Sequence, residues 1–396
     1  MQDAPINNIK SSKIKKTLKL LFIIAAVTFS GCGTAPKCPA SEYYAHGAAQ
    51  KPRMRLGCYP SFMITTNFLG ENFGNHGYFY RFDEKNGLAY TCRAGHIDTA
   101  HVRIGADWTA YLIAKTYDTL MKTKEGFDYK FSADRSISTV TFSYPDGWNR
   151  LSEEQRKKTA KEISYKLGGY LTHNINTWHE ILTWFGFKCL GIYTEFPSAF
   201  SWEDTFCNNL GVILAYRALE DSENTWDQAF TKVFDEEMEY LGIQPVTVAT
   251  KASKIVRPQW FTGAAPYSVD LKQRNFNIGL EDGTITATLV PGLEECQGAE
   301  PVSYPAPIRP DLSEYGFSFK LSITPREWES TKILEIVSTD KEIKKINPFT
   351  HYPAIMEYIR EEAKTKYGYF DETNPAVEAS SLQANPLSEE DETPNL

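Results

Sequence analysis

The pattern of apolar and polar residues predicts helices in the middle of the chain. Ser152 and Gln155 have the spacing of a capping box at the start of the longest helix, and Gly186 follows its last apolar turn as a stop. Apolar residues recur at helical spacing in four stretches, which are residues 102–122, 152–184, 201–219 and 226–241. These stretches predict a central body that is mainly helical.

Alternating patterns predict short strands around this helical body. Residues 127–144 alternate in two runs, and the chain beyond residue 245 turns to strands, with Asp282-Gly283 as the turn of a hairpin. A further strand at residues 315–323 and a last helix at residues 353–366 complete the predicted elements. Helices accompanied by hairpins indicate an α+β fold, with a mainly helical central body and peripheral β-hairpins in a single domain.

The first 31 residues have the composition of a targeting signal. A basic region with five lysines leads into an apolar stretch at residues 18–30, which is shorter than the roughly 20 apolar residues that span a bilayer. The small residues Ser30 and Gly31 before Cys32 resemble a bacterial lipobox, in which the cysteine is acylated and becomes the first mature residue. The alternative is an ordinary secretory signal followed by a chance cysteine.

The remaining chain divides by composition into a tether, a folded domain and a tail. Because Gly33 follows Cys32, where aspartate is associated with inner-membrane retention, the lipobox resemblance implies an outer-membrane lipoprotein facing the periplasm. The predicted divisions are a lipidated tether at 32–50, one α+β domain at 51–370 and a disordered acidic tail at 371–396. Within the domain, residues 51–245 are the helical, site-bearing part and residues 246–370 the hairpin-rich part.

Composition and charge exclude several classes of protein. The 396 residues are 42% hydrophobic and 13% aromatic, which excludes wholesale disorder and a small disulfide knot. The net charge is −8, and it becomes −12 without residues 1–31, which hold five lysines and one aspartate. So acidic a chain argues against nucleic acid as a partner. We expect contact with the membrane through the lipidated Cys32, while a protein or glycan partner stays unidentified.

The cysteines leave the disulfide pattern open. Six cysteines remain beyond Cys32, and six allow 15 connectivities in an oxidising compartment. The sequence contains no C-x-x-C pair, which argues against a zinc ribbon or a thioredoxin-like dithiol.

Candidate chemistry begins in the segment from Gly95 to Asp107. The chain has no G-x-S-x-G elbow, P-loop or dinucleotide-binding fingerprint, so the histidines and carboxylates are the candidates. Asp98 and His101 lie about 60° apart on one helix face, which suits two metal ligands or a ligand and its orienting carboxylate. The alternative is that Asp98 is only the helix N-cap. Arg103 and Asp107 have the spacing of a salt bridge along the helix.

A second segment contains the pair His179-Glu180. This pair is the first half of the zinc-binding motif H-E-x-x-H, in which the glutamate acts as general base. Thr183 occupies the position of the second histidine, so the motif is incomplete, and His101 from another helix is the candidate replacement. The alternative is an amphipathic core helix whose polar groups satisfy one another.

A third segment runs from Ser198 to Gly211. Asp204 and Asn208 share a helix face, and Gly211 on the same helix allows a close approach of a second helix. The alternative is a capping box in which Ser201 is the N-cap and Asp204 occupies the third helical position, with Glu203 favoured by the positive end of the helix.

These segments together resemble a known bacterial family. GHIDTAHVRIGADWTAY, NTWHEILTWFG and SAFSWEDTFCNNLG occur in this order and resemble the family catalogued as domain of unknown function 4056, over roughly residues 50–260. The family has an apolar residue where His96 stands and tyrosine-serine where Phe206-Cys207 stand, which argues against His96 and Cys207 as site residues. The positions that match the family are Asp98, His101, His179, Glu180, Glu203, Asp204 and Asn208. The resemblance implies no activity, but it fits an envelope lipoprotein.

Two hypotheses follow from the residues. In the first, the protein is a metal-dependent hydrolase that uses one divalent metal such as zinc, with Glu180 as general base on a metal-bound water. The metal ligands would be His101 and His179, with Asp98 or Asp204 completing the shell, and Glu203, Asn208 and Arg103 would support them. In the second hypothesis, the protein is a non-enzymatic structural or binding lipoprotein whose polar helices form a buried hydrogen-bond network.

Overall fold

The structure is a computed structural model, and it describes seven stretches of the chain. They are residues 36–47, 50–55, 67–131, 133–189, 193–263, 270–338 and 342–371. The predicted signal, the lipidation site Cys32 and nearly all of the predicted acidic tail therefore lie outside the described residues.

The described residues contain eight α-helices, of which the longest two and one shorter helix carry the candidate residues. In chain order they are α1 (Tyr43–His46), α2 (Thr99–Met121), α3 (Glu153–Trp184), α4 (Asp204–Ala218), α5 (Trp226–Tyr240), α6 (Val246–Ile255), α7 (Ser330–Val337) and α8 (Pro348–Glu362). Ser152 and Gln155 form the predicted capping box of α3, and Gly186 follows its end at a φ of 97°. None of these helices is long and apolar enough to cross a membrane.

Glycines let α2 and α4 pack unusually close to each other. A Cβ atom added at Gly211 would lie 2.1 Å from the carbonyl oxygen of Val102, and one at Gly105 would lie 2.4 Å from that of Asn208. Only glycine fits at either position, because real Cβ atoms do not approach backbone atoms this closely. The close approach predicted at Gly211 is confirmed, and it places the first turn of α4 beside the first turns of α2.

Short strands surround the helices in several small sheets. They are β1 (Leu88–Thr91), β2 (Gly95–Asp98), β3 (Gly126–Tyr129), β4 (Ile137–Ser143), β5 (Lys188–Cys189), β6 (Tyr193–Thr194), β7 (Phe261–Thr262), β8 (Asp270–Leu271), β9 (Gln273–Arg274), β10 (Thr284–Thr286), β11 (Ser303–Pro305), β12 (Ser318–Thr324) and β13 (Phe370–Asp371). The antiparallel hairpin β1–β2 leads directly into α2, and the three-stranded sheet β12-β4-β3 packs its buried side chains against α2 and α3. The predicted α+β fold is confirmed.

Two predictions for the C-terminal half are wrong. Asp282-Gly283 does not join two paired strands, because β10 pairs with β11, and Asp282 accepts a hydrogen bond from the Thr284 N–H (2.8 Å) in a local turn. Residues 246–255 form α6 rather than a strand. Its apolar residues Val248, Ala249 and Ala252 are buried against β1, so the tertiary contact favours a helix over the strand that the β-branched residues suggest.

Part of the predicted tether is folded. Ala40 is fully buried and its N–H donates to the Asn224 carbonyl oxygen (2.8 Å). Tyr43 in α1 is also buried, with its ring centroid 5.5 Å from that of Trp226. Any tether is therefore limited to the residues before Pro39.

A disulfide bond joins two distant parts of the chain. Cys92, just after β1, is bonded to Cys296, 204 residues further on. Cys38 and Cys207 are free thiols, and Cys32 and Cys58 lie outside the described residues.

Candidate acid–base site

The close crossing of α2 and α4 brings His101 between two carboxylates. Its Nδ1 lies 2.9 Å from Oδ1 of Asp204 and 3.3 Å from Oδ2 of Asp98. Both carboxylates are buried, whereas the His101 side chain is 19% exposed. Burial lowers the pKa of His101, but the charges of Asp204 and Asp98 outweigh it and raise the pKa well above its usual value. The shared face predicted for Asp98 and His101 is confirmed, and at neutral pH His101 is a cation.

Asp98 has a second, structural role at the same position. Its Oδ1 accepts a hydrogen bond from the Ala100 N–H (2.8 Å), which makes Asp98 the N-cap of α2. The alternative interpretation, that Asp98 is the helix N-cap, is therefore confirmed. The other carboxylate oxygen faces His101, and a role in metal binding stays a prediction.

Glu180, near the C-terminal end of α3, faces the same cluster. Its side chain is buried, and its Oε2 accepts a hydrogen bond from the Phe200 N–H (2.8 Å). Burial and the nearby charge of Asp204 raise the pKa of Glu180 to about 7, although His179, the Phe200 N–H and His101 act in the opposite direction. A fixed carboxyl that is half protonated near neutral pH is suited to proton transfer.

Glu203 is a further buried acid of the cluster. It is 2% exposed and immediately precedes α4, but its side chain does not cap the helix. Neither carboxyl oxygen has a hydrogen-bond partner within the described structure. Burial, with the charges of Asp204 and Asp98, raises the pKa of Glu203 well above its usual range, which favours the neutral form of this side chain.

His179 pairs with carboxylates that the sequence did not suggest. Its Nδ1 lies 2.8 Å from Oδ1 of Asp134, and its Nε2 lies 3.5 Å from Oε2 of Glu195. Burial lowers the pKa of His179, but Asp134 and Glu195 raise it overall to about 10. The ring is 23% exposed and is a second cation near Glu180.

The sequence does not predict Asp134 and Glu195 as partners of His179, because neither lies at a helical or strand spacing from it. Asp134 comes from the connection before β4, 45 residues away, and Glu195 from the turn after β6. The only sequence signal for Asp134 is its place between the two alternating runs of residues 127–144.

The predicted salt bridge between Arg103 and Asp107 is wrong. Asp107 instead bonds to Arg55 (2.6 Å), which lies 52 residues upstream, and to the Trp226 indole N–H (2.9 Å). Arg103 lies about 200° around α2 from His101 and donates to backbone carbonyls such as that of Phe73 (2.9 Å). Arg103 therefore does not support the candidate site, because it is buried on the opposite face of its helix.

In the described structure, Asn208 and His96 make no contact with the cluster that would give them a role in its chemistry. Asn208 lies on α4 one turn after Asp204 and is mostly buried. His96 is buried in β2, where its Nδ1 accepts the Trp202 indole N–H (3.3 Å) and burial lowers its pKa to about 3. Its neutral, packed ring agrees with excluding His96 from the site.

Ser201 and Asp204 form only half of the alternative capping box. Asp204 accepts a hydrogen bond from the Ser201 N–H (3.2 Å), but the Ser201 hydroxyl has no partner in the described structure, and α4 begins at Asp204 itself. The helix therefore starts three residues later than predicted. Oδ2 of Asp204 accepts the Ser201 N–H, while its Oδ1 lies 2.9 Å from Nδ1 of His101.

The described residues contain no ready-made metal centre. No group of three or more His, Cys, Asp or Glu side chains in them is arranged to hold a metal ion. His101 and His179, which were predicted to share one metal, instead have separate carboxylate partners. What the arrangement offers directly is the buried carboxyl of Glu180, whose pKa is raised to about 7 and on which the charges of His179 and His101 both act.

These features define an α+β protein with a cluster of histidines and carboxylates where the first turns of α2 and α4 face the end of α3. The chain belongs to the family described as protein of unknown function (DUF4056), whose model matches residues 69–282. The match includes every residue of the cluster from Asp98 to Asp204. No curated protein and no solved structure matches the chain. The family description assigns no activity.

Proposed function

We propose that the protein is a cell-envelope lipoprotein with a hydrolytic acid–base site, in which Glu180 transfers the proton and His101 is its cationic partner. The observation that carries this proposal is the state of Glu180. Its carboxyl is fixed by the Phe200 N–H (2.8 Å), and its pKa is raised by burial to about 7. Catalytic acids and bases typically have pKa values tuned toward the working pH in this way.

The neighbouring charges suit the same reaction class. In a hydrolysis, Glu180 would accept a proton from the attacking water and return it to the leaving group. His101 and His179 would stabilise negative charge that develops on the substrate, since both are held as cations and both are partly exposed. Asp98 and Asp204 would orient His101 from its Nδ1 side.

A metal-dependent form of this hydrolase is part of the proposal. A divalent cation such as zinc would be held by His101 or His179 together with Asp98 or Asp204, and it would supply an activated water. Metal ligation needs a neutral imidazole, and the raised pKa values of both histidines mean that the cation must displace a proton. The geometry therefore favours acid–base chemistry by the side chains themselves. The experiment described below measures the metal content of the protein, so that it distinguishes the two forms.

Two observations support the placement in the cell envelope. The basic and apolar segment before Cys32 has the form of a lipoprotein signal, which implies anchoring by lipid at the periplasmic face of the outer membrane. The Cys92–Cys296 disulfide bond is of the kind that persists in exported proteins.

A structural role is the second candidate, and a specific observation favours it. Asp98 caps α2, Asp204 accepts the Ser201 N–H, and Glu180 accepts the Phe200 N–H, so all three acids also hold backbone in place. A non-enzymatic lipoprotein would use the same cluster only to fix the crossing of its helices.

The deciding experiment compares Glu180→Gln with the wild type and with Glu154→Gln, an exposed site on the same helix. Hydrolysis of chromogenic carboxylic esters, phosphate esters and glycosides is measured from pH 5 to 9, with metal content determined and chelator added in parallel. We expect one class to be hydrolysed by the wild type, a loss of about 100-fold or more in Glu180→Gln, and no change in Glu154→Gln. Absence of hydrolysis in every class would favour the structural role.

A further inference from the structure

A strained backbone segment presents the N–H group that holds Glu180. Phe200 has a φ of 51°, in the left-handed region that residues other than glycine rarely adopt. In this conformation its N–H points at Oε2 of Glu180 (2.8 Å) and its carbonyl oxygen accepts the Asn275 N–H (3.0 Å). Such a conformation persists only where the surroundings hold it in place.

Arg274 supplies those surroundings. It is fully buried, and its hydrogen bonds in the described structure go to backbone carbonyls rather than to a carboxylate. Nη1 donates to the carbonyl oxygens of Ala199 and Phe196 (3.2 Å for Phe196), while Nε donates to that of Leu271 (3.1 Å). One side chain thus binds two carbonyls of the turn that immediately precedes Phe200.

Aromatic rings surround the guanidinium group and keep it in this position. Its central carbon lies 4.8 Å from the ring centroid of Tyr369, 5.5 Å from that of Phe196 and 5.7 Å from that of Trp184. Cation–π contacts of this kind compensate part of the cost of burying a charge. The backbone of Arg274 also bridges to Ser201, so its strand runs along the turn that it binds.

We propose that Arg274 is a positioning residue for this site, because it holds the turn at 196–201 in the strained conformation that aims the Phe200 N–H at Glu180. That this positioning serves catalysis rests on the proposed function. That Arg274 holds the turn at 196–201 follows from the contacts alone. Without the two carbonyl bonds, Phe200 can relax to a negative φ, and its N–H then leaves Glu180. Glu180 would lose the hydrogen bond that stabilises its charged form.

The test measures the pKa of Glu180 by NMR in full-length protein with carbon-labelled glutamate, using Glu180→Gln to assign the signal. Arg274→Met removes the charge and the donors. Arg274→Lys keeps the charge, but its side chain ends one atom short of the Nη1 that donates to both carbonyls, and it lacks the Nε donor to Leu271. Arg103→Met is the matched control, because Arg103 is also buried and donates to carbonyls, but on the opposite face of α2.

We expect Arg274→Met and Arg274→Lys to raise the pKa of Glu180 by about one unit, because a hydrogen bond to a charged group is lost, and the control to leave it unchanged. The Phe200 amide should also exchange its hydrogen faster in Arg274→Lys. A Lys variant with wild-type titration and exchange would overturn the inference, whether or not the Met variant folds. If wild-type Glu180 itself titrates near 4.5, the proposed function loses its basis, while the Phe200 exchange result still decides the role of Arg274.

Discussion

Replacing Glu180 by glutamine should change how the stability of the protein depends on pH. The pKa of Glu180 is raised from the ordinary 4.5 to about 7 in the folded protein, so the folded state keeps this proton longer than the unfolded chain does. The contribution of Glu180 to stability is therefore fully present below about pH 4.5 and is lost as the pH rises through 7. Glutamine stays neutral and can still accept the Phe200 N–H through its side-chain carbonyl.

The magnitude follows from the size of the shift. A difference of about 2.5 pKa units corresponds to about 3 kcal/mol between pH 4.5 and pH 7. The stability of Glu180→Gln relative to the wild type should rise by that amount over this interval and change little outside it. The other titrating groups, His101 and His179 among them, are common to both proteins and largely cancel in the difference.

Urea unfolding followed by tryptophan fluorescence, repeated at half-unit steps from pH 4.5 to 8.5, measures this difference directly. Glu154→Gln, which replaces an exposed glutamate on the same helix, should run parallel to the wild type. A constant difference between Glu180→Gln and the wild type at all pH values would refute the raised pKa. A difference that falls with rising pH would mean that Glu180 is a stabilising anion, as the structural role requires.

Three further substitutions test other parts of the description. Cys32→Ser should move the protein from the membrane to the soluble fraction of cells, and unchanged fractionation would contradict lipid anchoring. Gly211→Ala should cost about 2–3 kcal/mol in urea unfolding, because its Cβ would meet the backbone of α2, whereas Gly147→Ala, with open space around it, should be nearly neutral. Asp134→Asn should lower the pKa of His179 from about 10 toward its usual 6.5 in an NMR titration. An unchanged pKa would mean that carboxylates other than Asp134 stabilise the protonated ring.

The parts of the site that depend on local spacing were predictable from the sequence. Asp98 and His101 share a helix face because they are three residues apart, and Gly211 marks a close crossing because it is the residue without a side chain. The capping box of Ser152 and Gln155 is likewise a local pattern. Each of these features has its signal within a short stretch of the sequence.

Features that join distant segments were not predictable in the same way. His179 could be assigned to the site, but its partner Asp134 lies 45 residues away, and no spacing rule links the two. Arg103 and Asp107 have ideal spacing for a salt bridge, yet Arg55 from 52 residues upstream takes Asp107. The apparent hairpin at residues 282 and 283 fails for the same reason, because β10 finds a better partner in β11.

The disulfide bond between Cys92 and Cys296 makes the site-bearing part of the chain a covalent ring. Asp98, Glu180 and Asp204 all lie between the two cysteines, so a protease cut at any single peptide bond of that span leaves both fragments attached. The ring also limits the freedom of the unfolded chain, by about 5 kcal/mol on a loop-entropy estimate for this separation. A nicked molecule would therefore keep its helices together and could regain the geometry of the cluster, and only reduction would let the fragments separate.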